Sequence, residues 1–426
     1  MVMQKKFKLF VIVFFCSYVV LNLIKTLYTT FFMAGGYEYR AFEISDWLIN
    51  YEGGFVRRGL LGQILYWLSN LLMCDVRVVI MWVVIITSTI FLGLVYMIFR
   101  KEGFSPLIIP TGCFAGFTLF SMYGRRDMLT FLFMYLIFLI YRRLLNHPKD
   151  NLFSWVIFYT LSIILILIHE SAFFYTFPFL IFICYNKNPI RHSCIRRMVK
   201  SIIVFSPVLL AMGLVCIFKG NKNVAEMIWA SWTPIISMFP DLSEGGKVFG
   251  IDALTWNLKE TIFLHLSLSY LGANASFFRI FVVVFNWVAI YYLLTRLDVT
   301  KKESDTMNHE YMSNILLIQF VFMIPMFGIL SSDWGRTLPY WSVSSVFIYH
   351  IFKIDLFVTP SRISSLSQRL QGYIMHKKRI FLSPYFYMTM LLVTPFSLYW
   401  APDLDNLIQT DLLRYAQKAV QVCTSW

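Results

Sequence analysis

A few short polar motifs stand out against an apolar background. Glu43, Asp46 and Glu52 lead into Gly53-Gly-Phe-Val-Arg-Arg58-Gly59. Gly124-Arg-Arg-Asp127, His169-Glu170-Ser171 and Ser332-Asp333-Trp-Gly-Arg336 follow, each at the edge of an apolar run. Arginine presents a planar fork of donors that matches the oxygens of a phosphate or carboxylate two at a time. Arg57-Arg58 and Arg125-Arg126 are adjacent pairs, so each concentrates charge that an anion must neutralise. A diphosphate at a membrane–water boundary is the natural partner for such a cluster. His169, Glu170 and Asp333 are the side chains able to move a proton beside it. An unperturbed histidine titrates at about 6.5, near a working pH.

Each motif also has a plain structural reading. Asp127 can cap a helix and pair with its own arginines. Glu170-Ser171 can simply start a helix after a tight turn. Asp333 and Arg336 can pair with each other, with Gly335 turning and Pro339 in the first turn of a helix. Arg57-Arg58 can bind lipid headgroups. All four being structural at once is the least economical reading.

The background says where these motifs sit. Of 426 residues, 58% are hydrophobic and 14% charged, with a mean hydropathy of +0.66. An ordinary soluble domain is about 45–50% apolar and about 25% charged. A water-soluble fold cannot hide so much apolar surface, so the bilayer must be the main solvent. That excludes a cytosolic enzyme, a secreted domain, a disordered protein and a nucleic-acid-binding module. The net charge of +14 fits loops facing anionic lipid. The seven cysteines form no CxxC pair and no zinc spacing with histidine.

The expected fold is an all-α polytopic membrane protein, one transmembrane domain over 1–426. A span needs about 20 apolar residues. Eleven segments qualify, ten or twelve by where marginal ones are counted. They are 7–33, 78–99, 105–123, 128–141, 152–168, 171–185, 201–218, 277–294, 312–330, 338–352 and 380–399. The stretch 59–72 reads as an interfacial helix or a re-entrant segment. The first run follows Lys5, Lys6 and Lys8 and lacks an A-x-A site, so it reads as an uncleaved signal anchor. With the N-terminus inside, inside segments hold 22 of the 37 Lys and Arg and outside segments 14. Every motif above then falls on the outer side. The first outer loop is 34–77. A large outer loop, 219–276, carries Trp229, Trp232, Asp241, Glu244, Lys247 and Trp256. The cytoplasmic loop 353–379 is basic and reads as a lipid-surface helix. Spans 128–141 and 152–168 share a short loop, so Arg126 and His169 are expected at adjacent helix ends.

From Gly124 to about Phe182 the chain has an arginine-rich start, an apolar helix, a basic loop, and a helix ending in His169-Glu-Ser-Ala172. This block resembles the EpsG-like and Wzy-type membrane polymerases of bacterial surface polysaccharides. It covers about 60 residues. The resemblance implies an enzyme of the bacterial inner membrane. Such an enzyme joins oligosaccharide units carried on undecaprenyl diphosphate at the periplasmic face, building O-antigen or capsule. Its partners would be that lipid-linked oligosaccharide, membrane lipids and a chain-length regulator, with no nucleic acid. On that basis Arg57, Arg58, Arg125, Arg126, Arg336 and Asp46 form the substrate-binding set. The arginines stabilise the departing diphosphate. His169, then Asp333, then Glu170 are the candidates for base or acceptor positioning. No metal and no cofactor is needed. Three rivals remain. A GT-C-type glycosyltransferase would use Glu43 and Asp46 for base or metal duty. A membrane acyltransferase would use His169 and Glu170. A flippase of lipid-linked oligosaccharide would want charges at mid-membrane, where Lys25 stands nearly alone.

Overall fold

A computed structural model describes residues 9–10, 13, 17, 42–104, 125–147, 152–187, 193–236, 249–256, 273–296, 306–327, 334–352, 360–376 and 386–387. The expected spans 7–33, 105–123 and 380–399 lie almost wholly outside the described residues, as does Asp333. Among the described residues there is no strand.

Eleven longer helices carry the described fold. They are α1 (Gly59–Leu72), α2 (Val76–Glu102), α3 (Asp127–Asn146), α4 (Leu152–Ile168), α5 (Ala172–Lys187), α6 (Cys194–Ile217), α7 (Lys222–Ile236), α8 (Ala273–Arg296), α9 (Thr306–Pro325), α10 (Trp334–Ile351) and α11 (Ser361–His376). The apolar segments expected as spans are helical wherever they are described. Three of them, α2, α3 and α6, are long and apolar enough to cross a membrane. At about 1.5 Å per residue, the 27 residues of α2 extend roughly 40 Å. Its outward face shows Trp82, Ile86 and Ile90, one helical turn apart and each more than half exposed. Such an outward apolar stripe suits lipid, not water.

Local chemistry sets the ends. The Asp75 carboxylate accepts from the Arg77 N–H and caps α2. Gly103, with φ 77°, closes it by donating its N–H to the Phe99 carbonyl. Ser193 caps α6 by accepting from the Arg196 N–H. Asn221 accepts from the Val224 N–H in the first turn of α7.

The buried faces follow helical periodicity. On α3, Phe131, Met134, Phe138 and Tyr141 point inward at three- and four-residue steps. On α4, Ser154, Phe158, Ser162 and Leu165 do the same. Tyr141 packs on Phe158 in the antiparallel pair α3–α4. The main core joins α2 to α6 with α8 to α10. Some polar side chains inside it are paired. The Gln319 amide donates to the Tyr175 carbonyl and to Ser344 Oγ, and the Trp341 indole donates to the Leu316 carbonyl.

A second, smaller core joins α1, the start of α2 and α7 to residues 47–49, Ile251 and Leu254. Here the Trp232 indole donates to the Leu48 carbonyl at 2.7 Å. Trp232, expected in the large outer loop 219–276, is fully buried against the 46–48 turn. The segment 59–72 is the helix α1, with Trp67, Leu71 and Leu72 well exposed. Helix α11, in the basic loop, docks on α9 through one polar face. Ser364 and Gln368 donate to the Glu310 carboxylate, and Ser367 to Ser313 Oγ. Its Leu366 and Tyr373 stay exposed.

Candidate functional site

The polar motifs come together where the smaller core meets the bundle. Asp46 begins the short turn Asp46–Leu48. Two glycines let that turn sit close. A Cβ on Gly62 of α1 would lie 1.9 Å from the Ile49 carbonyl oxygen, and one on Gly250 would lie 2.4 Å from the Asp46 nitrogen. The Gly250 N–H donates to Ser45 Oγ at 2.7 Å. Arg57 and Arg58 come from the loop before α1. Arg58 has φ 65°, a left-handed backbone that few non-glycine residues adopt.

Arg58 is the hub. Its Nε donates to both oxygens of Glu170, at 3.0 and 2.8 Å, and Nη2 lies 2.5 Å from Oε1. Its Nη1 donates to Asp46 Oδ1 at 3.3 Å. Arg126 takes the other Asp46 oxygen. Its Nε donates to Oδ2 at 3.0 Å, and its Nη1 donates to the Arg58 carbonyl at 3.3 Å. Arg57 is held more loosely, with Nη1 at 3.5 Å from Glu170 and Nη2 donating to the Ala253 carbonyl at 2.9 Å. Arg125 is buried beside Arg126 at the same helix start. One helix over, Arg336 grips Asp127 in a fork, Nε to Oδ2 at 3.1 Å and Nη2 to Oδ1 at 2.6 Å. The Tyr340 hydroxyl also donates to Asp127.

The buried donors of this cluster without an aligned hydrogen-bond acceptor among the described residues include two that flank Asp46 and Glu170. One is Arg57 Nε. The other is Arg126 Nη2, which is 2.6 Å from Asp46 Oδ2 as an ion pair but not aligned to hydrogen-bond it. Leaving a buried donor unpaired costs roughly 1–3 kcal/mol, so each needs an explanation. Among the described residues, five guanidiniums meet three carboxylates here. Burial pushes the Asp46 carboxyl up, but Arg126 and Arg58 outweigh it and hold the group well below the usual carboxylate range. Glu170 behaves alike, with burial opposed and overcome by Arg58 and Arg57. Burial and Arg58 lower the Arg57 proton affinity against the pull of Glu170.

These contacts show what surrounds each of the expected site residues. Glu170 was a candidate base or positioning group for an acceptor. It is instead the anion that holds Arg58, and a carboxylate so paired is a weak base. The near-neutral titration expected of His169 does not hold either. Burial, then Arg58, lowers its pKa to about 3, with Arg336 and Arg126 adding and Glu170 opposing. Asp46, expected to touch substrate, spends both oxygens on Arg58 and Arg126. Asp127 was read only as a cap or local partner of its own arginines, yet it pairs with Arg336, 209 residues away. Its place inside the Gly124–Asp127 motif was the available signal. Arg336 was read with Asp333 as its local alternative partner, and Asp333 lies outside the described residues. The side chain of Glu43 also lies outside them.

His169 and Ser171 form their own unit in the turn from α4 to α5. The turn is tight, with the Ala172 N–H donating to the His169 carbonyl. Ser171 Oγ is 2.6 Å from His169 Nδ1, and the Ser171 N–H donates to the same nitrogen at 3.3 Å. Nδ1 therefore accepts, and the proton of the neutral ring is on Nε2. Among the described residues, no three His, Cys, Asp or Glu side chains gather to hold a metal ion. The arrangement offers a buried, cation-rich cluster with a neutral imidazole and a hydroxyl beside it. No family model, no curated protein and no solved structure matches the chain.

Proposed function

We propose that this chain is a glycosyltransferase-type polymerase of a bacterial inner membrane. It would join oligosaccharide repeat units carried on undecaprenyl diphosphate at the periplasmic face, in the making of O-antigen or capsule. The observation that carries the reading is the buried arginine cluster. Arg57, Arg58, Arg126 and Arg336 come from three separate stretches of chain, and among the described residues cations outnumber carboxylates where they meet. Arg57 Nε, which has no hydrogen-bond acceptor among the described residues, offers a donor to the oxygens of an anionic ligand. The resemblance of the Gly124–Phe182 block to Wzy-type polymerases supplies the reaction class.

The chemistry asks for charge where charge develops. Departure of the growing chain from its carrier leaves a lipid diphosphate, and fixed guanidiniums lower the cost of that anion. The carboxylates of Asp46, Glu170 and Asp127 hold the arginine forks in place, so little reorganisation is needed during reaction. Arg57 has the longest ion pair and the most exposed side chain of the cluster, which makes it the first to meet a ligand. Eleven spans with the N-terminus inside would put this cluster at the outer mouth, in reach of a carrier lipid. Chain-length control would fall to a partner protein.

The test is surface-polysaccharide profiling in the native host. Deleting the gene should remove the long polymer ladder and leave a single capped repeat unit. Arg126→Ala and Arg57→Ala should reproduce that loss with protein still in the membrane. An unchanged ladder in both variants would sink the reading. A ladder of normal length with altered acylation would point to the acyltransferase alternative.

A further inference from the structure

His169 lies among groups from every element around it, and one neighbour fixes its ring. Arg58 acts on it from the loop before α1, Arg126 from the start of α3, and Arg336 from the first turn of α10. Glu170 acts from its own turn and Asp46 from the 46–48 turn. The residue is 5% exposed. Nδ1 receives both the hydroxyl and the N–H of Ser171. Protonating it would add a cation to a buried site already rich in guanidinium. It would also take the nitrogen lone pair away from Ser171. Both effects keep the ring neutral and unreactive in the empty site.

A bound diphosphate removes the first effect. It sets at least two negative charges against the same arginines that act on the ring, and in a buried site such charges are weakly screened. The second effect is reversed at the shorter of the two contacts, because the Ser171 hydroxyl can rotate from donor to acceptor, while the Ser171 N–H gives up its longer bond to Nδ1.

We propose that anion binding at the arginine cluster turns His169 into a proton acceptor, with Ser171 Oγ as the hydroxyl through which the proton arrives. The inference rests on the diphosphate reading above. In the transfer, the acceptor-sugar oxygen bonds to the anomeric carbon as the bond from that carbon to the diphosphate oxygen breaks. The bonding electrons leave with the lipid diphosphate, against the arginines. The acceptor's hydroxyl proton passes to Ser171 Oγ as the proton already on Oγ passes to His169 Nδ1. Charge and atoms balance, and the imidazolium formed faces a site that now holds the anion. The device ties base strength to occupancy: water in an empty site finds no base.

The test uses the full chain in detergent and inorganic pyrophosphate as probe. Calorimetric titration at about pH 6 in two buffers of different ionisation enthalpy reads the protons taken up on binding. Wild type should take up more protons than His169→Gln, and His169→Gln should still bind. Ser171→Ala should bind with reduced uptake, since the Nδ1 proton loses its acceptor. Histidine-labelled wild type should show one imidazole resonance moving to its protonated position with pyrophosphate, which keeps the test valid if a variant fails to fold. Binding with equal uptake in wild type and His169→Gln, or with no histidine resonance moving, overturns the gating and leaves the anion site standing. No binding of pyrophosphate overturns both.

Discussion

Arg58 reaches across 112 residues of sequence to hold both oxygens of Glu170, with Nε at 2.8 Å from one and Nη2 at 2.5 Å from the other. This contact ties the loop before α1 to the turn between α4 and α5. It therefore couples the small core to the bundle, and it sets the direction of the guanidinium that faces the site.

Removing the anion alone should be costly. Breaking a buried pair from one side typically costs about 3–5 kcal/mol, because it strands the other charge. Glu170→Gln is expected near the low end of that range, since the amide oxygen still accepts one bond. The check is thermal unfolding in detergent of Glu170→Gln, Arg58→Gln and the double variant. The double variant should lose clearly less than the two singles together. Additive losses would mean the pair is not coupled.

The backbone of Arg58 gives a separate prediction. Its φ of 65° is a conformation glycine adopts freely and a Cβ-bearing residue does not. Arg58→Ala and Arg58→Gly both delete the guanidinium, but only glycine also relieves the backbone. Arg58→Gly should therefore be the more stable of the two, by about 1 kcal/mol. Both should lose polymer. Equal midpoints of unfolding would show that the loop relaxes to another backbone state once the side chain is gone.

Stability should respond to pH through His169 first. Its pKa falls to about 3 on folding, through burial and then Arg58, from about 6.5 in an unfolded chain. Between those values the unfolded state binds the extra proton, so stability drops as pH falls. Asp46 and Glu170 have folded pKa values depressed by their arginines, net of burial. Their contribution is present above the ordinary carboxylate range and is lost only as pH falls below it. From about pH 7 to about pH 5 the His169 effect stands alone among these three groups. The unfolding midpoint of wild type should fall over that interval by more than that of His169→Gln. Parallel curves would mean the ring is already protonated or solvated in the folded state.

Much of this arrangement is legible in the sequence, for definable reasons. Arginine pairs and a His-Glu-Ser turn at the ends of apolar runs mark side chains that cannot sit in lipid unpaired. Periodicity then places the helix ends that carry them. The pairing itself is not legible. Nothing local tells that Asp46 serves Arg126, 80 residues on, or that Asp127 serves Arg336, 209 residues on. Those choices depend on how helices pack, a long-range property. The burial of Trp232 escaped for the same reason: an indole in a polar-flanked loop reads as interfacial until the Leu48 carbonyl meets it. The histidine's lowered proton affinity follows from neighbours that come from other helices, so no reading of its own motif could supply it.

Gly62 and Gly250 carry the last prediction, because they decide where Asp46 can be. A Cβ at Gly62 would meet the Ile49 carbonyl oxygen at 1.9 Å, its carbon at 2.5 Å and the Trp47 carbonyl oxygen at 2.8 Å. All three are backbone atoms, so no side chain can swing aside. Gly250 meets the Asp46 nitrogen and the Ser45 carbon in the same way, from the opposite flank. Alanine at either position must displace the 46–48 turn. Forced overpacking of this kind costs about 1–3 kcal/mol. The displacement matters more than the cost here, since Asp46 bridges Arg58 and Arg126 with one oxygen each. Gly62→Ala should therefore lower polymer yield steeply while the protein still reaches the membrane. Gly93→Ala on α2 is the control, because nothing lies within 4 Å of its added Cβ. If Gly62→Ala and Gly93→Ala behave alike, the turn does not position Asp46 for function.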